Sequence, residues 1–183
     1  MKETDKRQVC KSEKKASIRE ALLSTASRRK TQVCKVFECK IVDKRLNKKQ
    51  REELERLFLE GKWFYNNLLS IRQDYHVRLT EINTTHIKTV EHLDKDKNKL
   101  VDDLTVLTSQ VKQAILTRMV SNEKTIVQLV KRGFQKQGSL NFKSELTCIP
   151  LKQYGNTYVF KSFNKVRIAG ISGTVLVRTG NQL

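Results

Sequence analysis

Residues 47–69 read NKKQREELERLFLEGKWFYNNLL, and signals for the start, the periodicity and the burial of a helix agree there. Asn47 is a favourable N-cap, and Gln50 three residues later completes a capping box. Apolar residues recur at spacings of three and four, which predicts an amphipathic helix with one buried stripe. The stripe consists of Leu54, Leu57, Phe58, Gly61, Tyr65 and Leu68. Trp63 and Phe64 add aromatic surface beside it, so we expect a second element to cover that end.

The charge of the chain is strongly basic and unevenly distributed. Lys and Arg number 37 against 19 Asp and Glu among 183 residues, for a net charge of +18. Residues 1–36 hold 11 basic and 4 acidic residues, and residues 129–183 hold 9 basic residues and 1 acidic residue. A solvated surface explains most charge runs but not this concentration at both ends. We therefore expect nucleic acid as the partner.

Other classes of protein fit the composition less well. We expect no membrane partner, because no segment approaches the roughly 20 apolar residues of a span. The polar start predicts no signal peptide, and hence a cytoplasmic, nucleoid-associated protein. The four cysteines have the spacing of neither a disulfide framework nor a zinc site, so free thiols and no bound metal are expected. The three histidines are scattered and are given no role.

The order of elements starts with a basic leader, residues 1–32, which we expect to be partly disordered or helical. Residues 33–42, VCKVFECKIV, are rich in β-branched and aromatic residues and predict a strand. We expect the helix after Asn47 to continue towards residue 79 and a further helical piece to carry Ile87, Val90 and Leu93. A third helix, capped by Ser109, should end at Gly133. Residues 47–133 are thus predicted to be helical.

After residue 133, glycines separate short runs of β-branched and aromatic residues, which predict strands and tight turns. The lone strand at residues 33–42 needs a partner, and these later strands can supply it. The sequence therefore predicts an α+β fold. Residues 33–46 and 134–183 would form a small β-barrel of the wedge or oligonucleotide-binding kind, interrupted by the helical insertion of residues 47–133.

This order of parts resembles the N-terminal half of TnpB (OrfB), a transposon-encoded RNA-guided nuclease family related to the type V CRISPR effectors. CKVFECKIV, KRLNKKQ and KWFYNNLL resemble its opening strand, turn and helix, with Trp63, Tyr65 and Asn66 in its aromatic, Tyr, Asn pattern. LTSQVKQAIL resembles the start of its later recognition-lobe helix, and GSLNFKS its Gly-x-Pro-Arg-Phe-Lys segment. Leu140 and Asn141 depart from the Pro and Arg of that segment.

The resemblance implies a wedge domain and a recognition lobe that bind guide RNA and target DNA and recognise a flanking motif. The nuclease of the family is a RuvC-like domain whose three carboxylates hold two metal ions, and it lies after the region matched here. Residues 129–183 contain one acid, Glu145. We therefore expect no enzymatic activity and no cofactor in this chain, with Mg²⁺ and a RuvC-containing chain as requirements for cleavage.

Phosphate contacts require Lys and Arg on a rigid surface, and amides at helix N-termini add donors, here after Asn47 and Ser109. The candidate phosphate contacts on or beside the strands are Lys35, Lys40, Lys44, Arg45, Lys48, Lys49, Lys143, Lys161, Lys165 and Arg167.

The resemblance adds candidates that are not basic. Gln113 best matches the glutamine with which the family reads its flanking motif, and Gln110 is the rival in a shifted alignment. A solvated polar position is the alternative for Gln113. Ser162 sits where the family has a polar contact, although a turn serine is favoured, and core packing is favoured for Tyr65.

Two other functions remain open on the sequence. The chain could be an RNA-binding or single-strand-binding structural protein that acts without a guide. It could also be the N-terminal part of a split or truncated nuclease.

Overall fold

The structure, a computed structural model, describes residues 3–31, 39–93, 98–134 and 138–179. It divides the chain into two compact units, Met1–Glu38 and Cys39–Leu183. The helices are α1 (Glu3–Thr31), α2 (Lys48–Asp74) and α3 (Ser109–Lys131). The strands are β1 (Cys39–Ile41), β2 (Thr89–Leu93), β3 (Lys99–Asp103), β4 (Tyr158–Ser162), β5 (Lys165–Ile168) and β6 (Val175–Thr179). Short 3-10 helices occupy Asp43–Arg45, Leu79–Glu81 and Thr84–His86.

The first unit contains α1, so most of the basic leader is helical. Its short apolar stripe is not buried, since Ile18, Leu22 and Leu23 are each 60% exposed or more.

Helix α2 begins as its sequence predicts. The side chain of Asn47 accepts a hydrogen bond from the Gln50 amide at 2.7 Å, and the Gln50 side chain accepts one from the Asn47 amide at 3.2 Å. The stripe residues Leu57, Gly61, Tyr65 and Leu68 are buried. The predicted continuation towards residue 79 is wrong, because α2 ends at Asp74 and His76 then takes a left-handed conformation (φ 52°).

The region after α2 corrects the prediction of a continuous helical insertion. Val90 and Leu93, expected in a further helix, belong to β2, which pairs antiparallel with β3 in a hairpin, and Ile87 lies just before this strand. Val90 is buried, but Leu93 is 61% exposed, so the three-residue spacing of apolar residues here reflects no helix face. The hairpin contacts α2, and the ring of His92 stacks on Trp63 with centroids 4.0 Å apart. It is thus the second element that the aromatic surface of α2 required.

The other four strands form an antiparallel sheet in the order β1-β6-β5-β4. The pairing of β1 with β6, with Lys40 opposite Arg178, confirms that the early strand joins strands from the end of the chain. Residues 33–38 of the predicted strand lie outside the described residues. The α+β class is confirmed. A barrel is not, because the described strands form one open sheet and one hairpin, and the β1–β4 closure that a barrel needs is missing from them.

One hydrophobic core joins the helices to the sheet. It includes Phe64 and Leu68 of α2, Val111 and Met119 of α3, and Val175 of β6. Because the core is shared, Cys39–Leu183 is a single compact unit. The division of this unit into a wedge and a recognition lobe stays a prediction.

Candidate nucleic-acid interface

The outer face of the four-stranded sheet carries basic side chains. Val166 pairs with Val175 and both are buried, so they mark the inner face of the sheet. Side chains alternate along a strand, which places Lys165 and Arg167 on the outer face. The same alternation puts Lys40 of β1 and Arg178 of β6 there, since Ile41 and Val177 face inwards. We call Lys40, Lys165, Arg167 and Arg178 the basic face; all four are exposed.

The charge of the basic face is not balanced within the sheet. The four strands contain five basic residues, the fifth being Lys161, and no Asp or Glu. Within the described part of the chain, none of the four residues of the basic face forms an ion pair. Lys40 and Arg178 lie directly opposite each other, an arrangement that destabilises a strand pair. An anion bound across the sheet would remove this repulsion.

A small polar cavity brings two predicted residues together. It has a volume of about 240 Å³ and lies between the first turn of α3 and the β4–β5 hairpin. Gln110, Asn156, Tyr158 and Arg167 are among its lining residues. We call it the Gln110 cavity. Two amides and a guanidinium are the groups that proteins use on the hydrogen-bonding edges of bases.

The second predicted glutamine lies elsewhere on α3. Gln113 is exposed and is not among the residues that line the Gln110 cavity. The structure thus places Gln110, and not Gln113, with a basic residue of the sheet.

Several predicted phosphate contacts lie outside the basic face. Lys48 and Lys49 are exposed on α2, each 3.9 Å from an acid one turn later, Glu52 and Glu53 respectively. Such surface pairs contribute little energy but offset part of the positive charge. Lys44 and Arg45 are exposed in the turn before α2, and Lys143 is exposed in the segment after α3. Lys35 lies outside the described residues.

Ser162 and Tyr65 agree with the simpler interpretations given above. The Ser162 hydroxyl donates to Asn164 Oδ1 at 3.3 Å in the β4–β5 turn, as a turn serine does. Tyr65 is buried in the core, and this burial raises the pKa of its hydroxyl.

Asn66 has a structural role that its spacing does not reveal. Its side-chain amide donates to the Lys143 carbonyl at 2.9 Å and accepts from the Lys143 amide at 2.8 Å. This pair of bonds attaches the segment GSLNFKS to α2.

Of the two expected helix N-termini, that of α2 is capped by Asn47 as predicted, and only the cap of α3 differs. The side chain of Asn47 already accepts from its own helix at Gln50. The cap of α3 is Thr108 and not Ser109, whose hydroxyl instead donates to Gln110 Oε1 at 3.2 Å. The amides of residues 105–107, just before α3, are bound by a carboxylate of the protein itself.

That carboxylate belongs to Glu60, which the sequence interpretation missed. Glu60 is fully buried and accepts from the amides of Thr105, Val106 and Leu107 at 2.8–3.0 Å. Arg56 Nε donates to it at 2.9 Å. Burial alone would raise the pKa of Glu60, but these hydrogen bonds outweigh it and hold the pKa below the ordinary value of 4.5. Glu60 thereby fixes the loop that leads into Gln110.

A signal for Glu60 was present in the sequence. It lies three residues after Leu57 and four before Phe64, on the buried stripe of α2. A carboxylate at such a position needs several donors, because an unpaired buried charge is very unfavourable.

No group of three or more His, Cys, Asp or Glu in the described ranges is arranged to hold a metal ion. Among the helices that the structure describes, none has the length and apolar character needed to cross a membrane. The chain matches no protein-family model, and neither a curated protein nor a solved structure matches it.

Proposed function

We propose that this protein is a nucleic-acid-binding module whose phosphate contacts lie on the basic face. The observation that carries the proposal is the sheet itself, with five basic residues, no acid in its four strands and two cations directly opposite each other. Because the sheet already fixes the backbone of these residues, binding a polyanion restricts only the ends of their side chains.

A nucleic acid fits this surface better than a small anion does. The four cations are distributed over three adjacent strands, β1, β6 and β5, and do not converge on one point. A chain of regularly spaced phosphates reaches all of them at once, whereas a single anion reaches one or two. Residues 146–179 contain no Asp or Glu, so no acidic side chain from this part of the chain offsets the positive charge of the sheet.

The more specific proposal is that the nucleic acids are a guide RNA and its target DNA, with the sheet as part of a wedge barrel. It rests on the resemblance to TnpB. The pairing of β1 with β6 supports it, as does the attachment of GSLNFKS to the helix that contains KWFYNNLL. On this proposal the chain is not itself an enzyme, and a RuvC-containing chain with Mg²⁺ performs cleavage. The second candidate, a single-strand-binding protein that acts without a guide, is favoured by the exposed aromatic side chains of Phe160 in β4 and of Tyr154 and Phe163 on either side of it.

Binding titrations over a range of salt concentrations test the general proposal. Lys165→Ala with Arg167→Ala should weaken binding to duplex DNA and structured RNA and reduce the slope of log K against log salt by about two phosphate contacts. Lys88→Ala with Lys124→Ala removes the same charge from exposed positions outside the sheet and serves as the control. An equal reduction in both double variants would mean that only net charge matters, and it would contradict a site on the basic face.

Sequencing of the RNA that co-purifies with the protein tests the specific proposal. A single RNA species with a structured scaffold supports a guide, and a random RNA population contradicts it.

A further inference from the structure

Three aromatic side chains lie at the β4 edge of the four-stranded sheet. Tyr158 lies edge to face with Tyr154 (centroids 5.5 Å apart, planes at 82°) and with Phe160 (6.3 Å, 85°). We call Tyr154, Tyr158 and Phe160 the aromatic row. Tyr154 is 63% exposed and Phe160 is 43% exposed. Phe163, in the turn that follows β4, is 70% exposed.

The position of the row follows from the register of the sheet. Tyr158 and Phe160 pair with Ile168 and Val166 of β5. Both aromatic side chains therefore project from the inner face of the sheet, the face that covers the core. Strand β4 is at the edge, and Phe160 and Tyr154 remain open to solvent there. Exposed aromatic surface on an edge strand is a common feature of binding sites, because it is otherwise unfavourable in water.

The row is held rigidly by the turn before β4. The Thr157 hydroxyl is buried, donates to the Gln153 carbonyl at 2.9 Å and accepts from the Gln153 amide at 3.1 Å. The Thr157 carbonyl accepts from the Ala169 amide of the neighbouring strand end at 2.9 Å. Gly155, at φ 93°, allows the chain to turn so that Tyr154 meets Tyr158. These bonds fix the backbone between Tyr154 and Tyr158 without any ligand.

We propose that the aromatic row binds single-stranded nucleic acid by stacking unpaired bases, an inference that rests on the proposed nucleic-acid-binding function. Charge favours this ligand over an apolar protein surface, since Lys161 follows Phe160 in β4, Lys165 pairs with Ser162 at the end of the same strand, and residues 146–179 contain no acid. Aromatic rings beside cations are the recurring elements of single-strand binding sites. A duplex cannot stack on the aromatic row, because its bases already stack on each other. It presents only phosphates and groove edges to a protein.

The Gln110 cavity extends the same site, because Tyr158 belongs both to the row and to the lining of the cavity. The amides of Gln110 and Asn156 and the guanidinium of Arg167 line this cavity together with Tyr158. The row thus supplies affinity that does not depend on sequence, and the cavity supplies hydrogen bonds to one base.

The test compares one labelled oligonucleotide of about 12 nucleotides, single-stranded and as a duplex, by fluorescence anisotropy with the full chain. Tyr154→Ala with Phe160→Ala should weaken single-strand binding by roughly tenfold for each stacked base lost, and leave duplex binding and the salt slope unchanged. Phe160→Leu should lose nearly as much as Phe160→Ala, because leucine keeps apolar area but has no aromatic face. Phe134→Ala with Phe142→Ala, at exposed positions 75% and 52% accessible, is the matched control.

The outcomes separate this inference from the proposed function. If the wild type binds both ligands with a salt slope but the row variants bind the single strand normally, stacking is overturned and the basic face stands. If the wild type binds neither ligand, the proposed function fails. Full recovery in Phe160→Leu would identify an apolar protein contact, and it would also overturn the stacking proposal.

Discussion

Glu60 Oε2 accepts a hydrogen bond from the backbone amide of Leu107 at 2.8 Å, joining two residues that are 47 positions apart in the chain. This bond, with those from Thr105 and Val106, fixes the loop that starts α3. The buried carboxylate on α2 thus positions the helix that carries Gln110. Its loss should affect both stability and the site.

Glu60→Gln should destabilise the protein by about 1 to 3 kcal/mol for each buried amide left without an acceptor, and the lost pair with Arg56 adds less because Arg56 is 33% exposed. The new NH₂ group would face backbone N–H donors, which would leave amides unpaired, and Arg56 would lose the nearer of its two carboxylate partners. The difference between urea unfolding curves of wild type and variant measures this. Glu55→Gln, on the exposed side of α2, is the control and should change stability by less than about 0.5 kcal/mol. Similar small effects of both variants would contradict the role of Glu60.

The free energy of unfolding should fall in acid, because three carboxylates have lowered pKa values in the folded protein. Hydrogen bonds from the hydroxyl and amide of Ser172 lower the pKa of Glu53, and the hydrogen bond from His92 lowers that of Asp102. The pKa of Glu60 is also below 4.5. The unfolded chain therefore binds more protons than the folded one as the pH drops through these values, so this stabilisation is complete above about pH 5 and is lost progressively below it. Urea midpoints from neutral to acid pH measure the loss, and Glu60→Gln should flatten the curve.

The sequence predicts the parts of this fold that depend on neighbouring residues. The capping box of Asn47 and Gln50 and the stripe of α2 are local, and both are confirmed. The β2–β3 hairpin was missed because Ile87, Val90 and Leu93 match a helical spacing, whereas Val90 and Leu93 pair with residues 12 and 6 positions further along the chain, across the hairpin. Arg56 is a local partner of Glu60, but its other donors include three backbone amides more than 40 residues away, which leave no trace in a sequence pattern.

The candidate nucleic-acid interface, too, could be predicted only where it depends on neighbouring residues. The basic residues of β5 could be predicted from composition, but Arg178 was missed because only the register with β1 places it beside Lys40. The aromatic row depends in the same way on a turn that brings Tyr154 back to Tyr158.

Gly170→Ala should destabilise the protein by about 2 to 5 kcal/mol. Gly170 has φ 89°, and a Cβ there would lie 2.5 Å from the Val106 carbonyl oxygen, so backbone strain and overpacking add. Gly133→Ala is the matched control, because Gly133 has φ 77° but open space around it, and should cost only about 1 to 2 kcal/mol. Thermal unfolding of both variants measures the difference. Equal losses would mean that residues 169–171 do not pack against the loop before α3.

Arg178→Thr should stabilise the free protein slightly while weakening its binding to nucleic acid. Removing one of two opposed cations relieves repulsion worth a few tenths of a kcal/mol, and threonine suits a strand. The gain should shrink at high salt. Lys40→Thr should have the same effect. The double variant should gain less stability than the two single variants added together, because either change removes the same repulsion. A loss of stability in both single variants would show that these side chains serve the fold and not a ligand.

Gln110 and Gln113 should differ in base recognition, in the opposite order to that implied by the resemblance to TnpB. Gln113 is exposed, whereas Gln110 is half-buried in the cavity with Arg167. The Ser109 hydroxyl occupies Gln110 Oε1 at 3.2 Å, which leaves the NH₂ group of Gln110 as a donor towards a base. Gln110→Ala should therefore cost about 1 to 3 kcal/mol of binding free energy on the preferred sequence and leave the salt slope unchanged.

Selection of binders from a randomised pool, with the co-purifying RNA present, identifies the preferred sequence for this comparison. Titrations of each variant on that sequence and on a scrambled one, at two salt concentrations, then measure discrimination. Gln113→Ala should match the wild type on both. A sequence-specific loss in Gln113→Ala alone would favour the assignment from the resemblance. Equal losses on both sequences for Gln110→Ala would show that the cavity contributes affinity without reading a base.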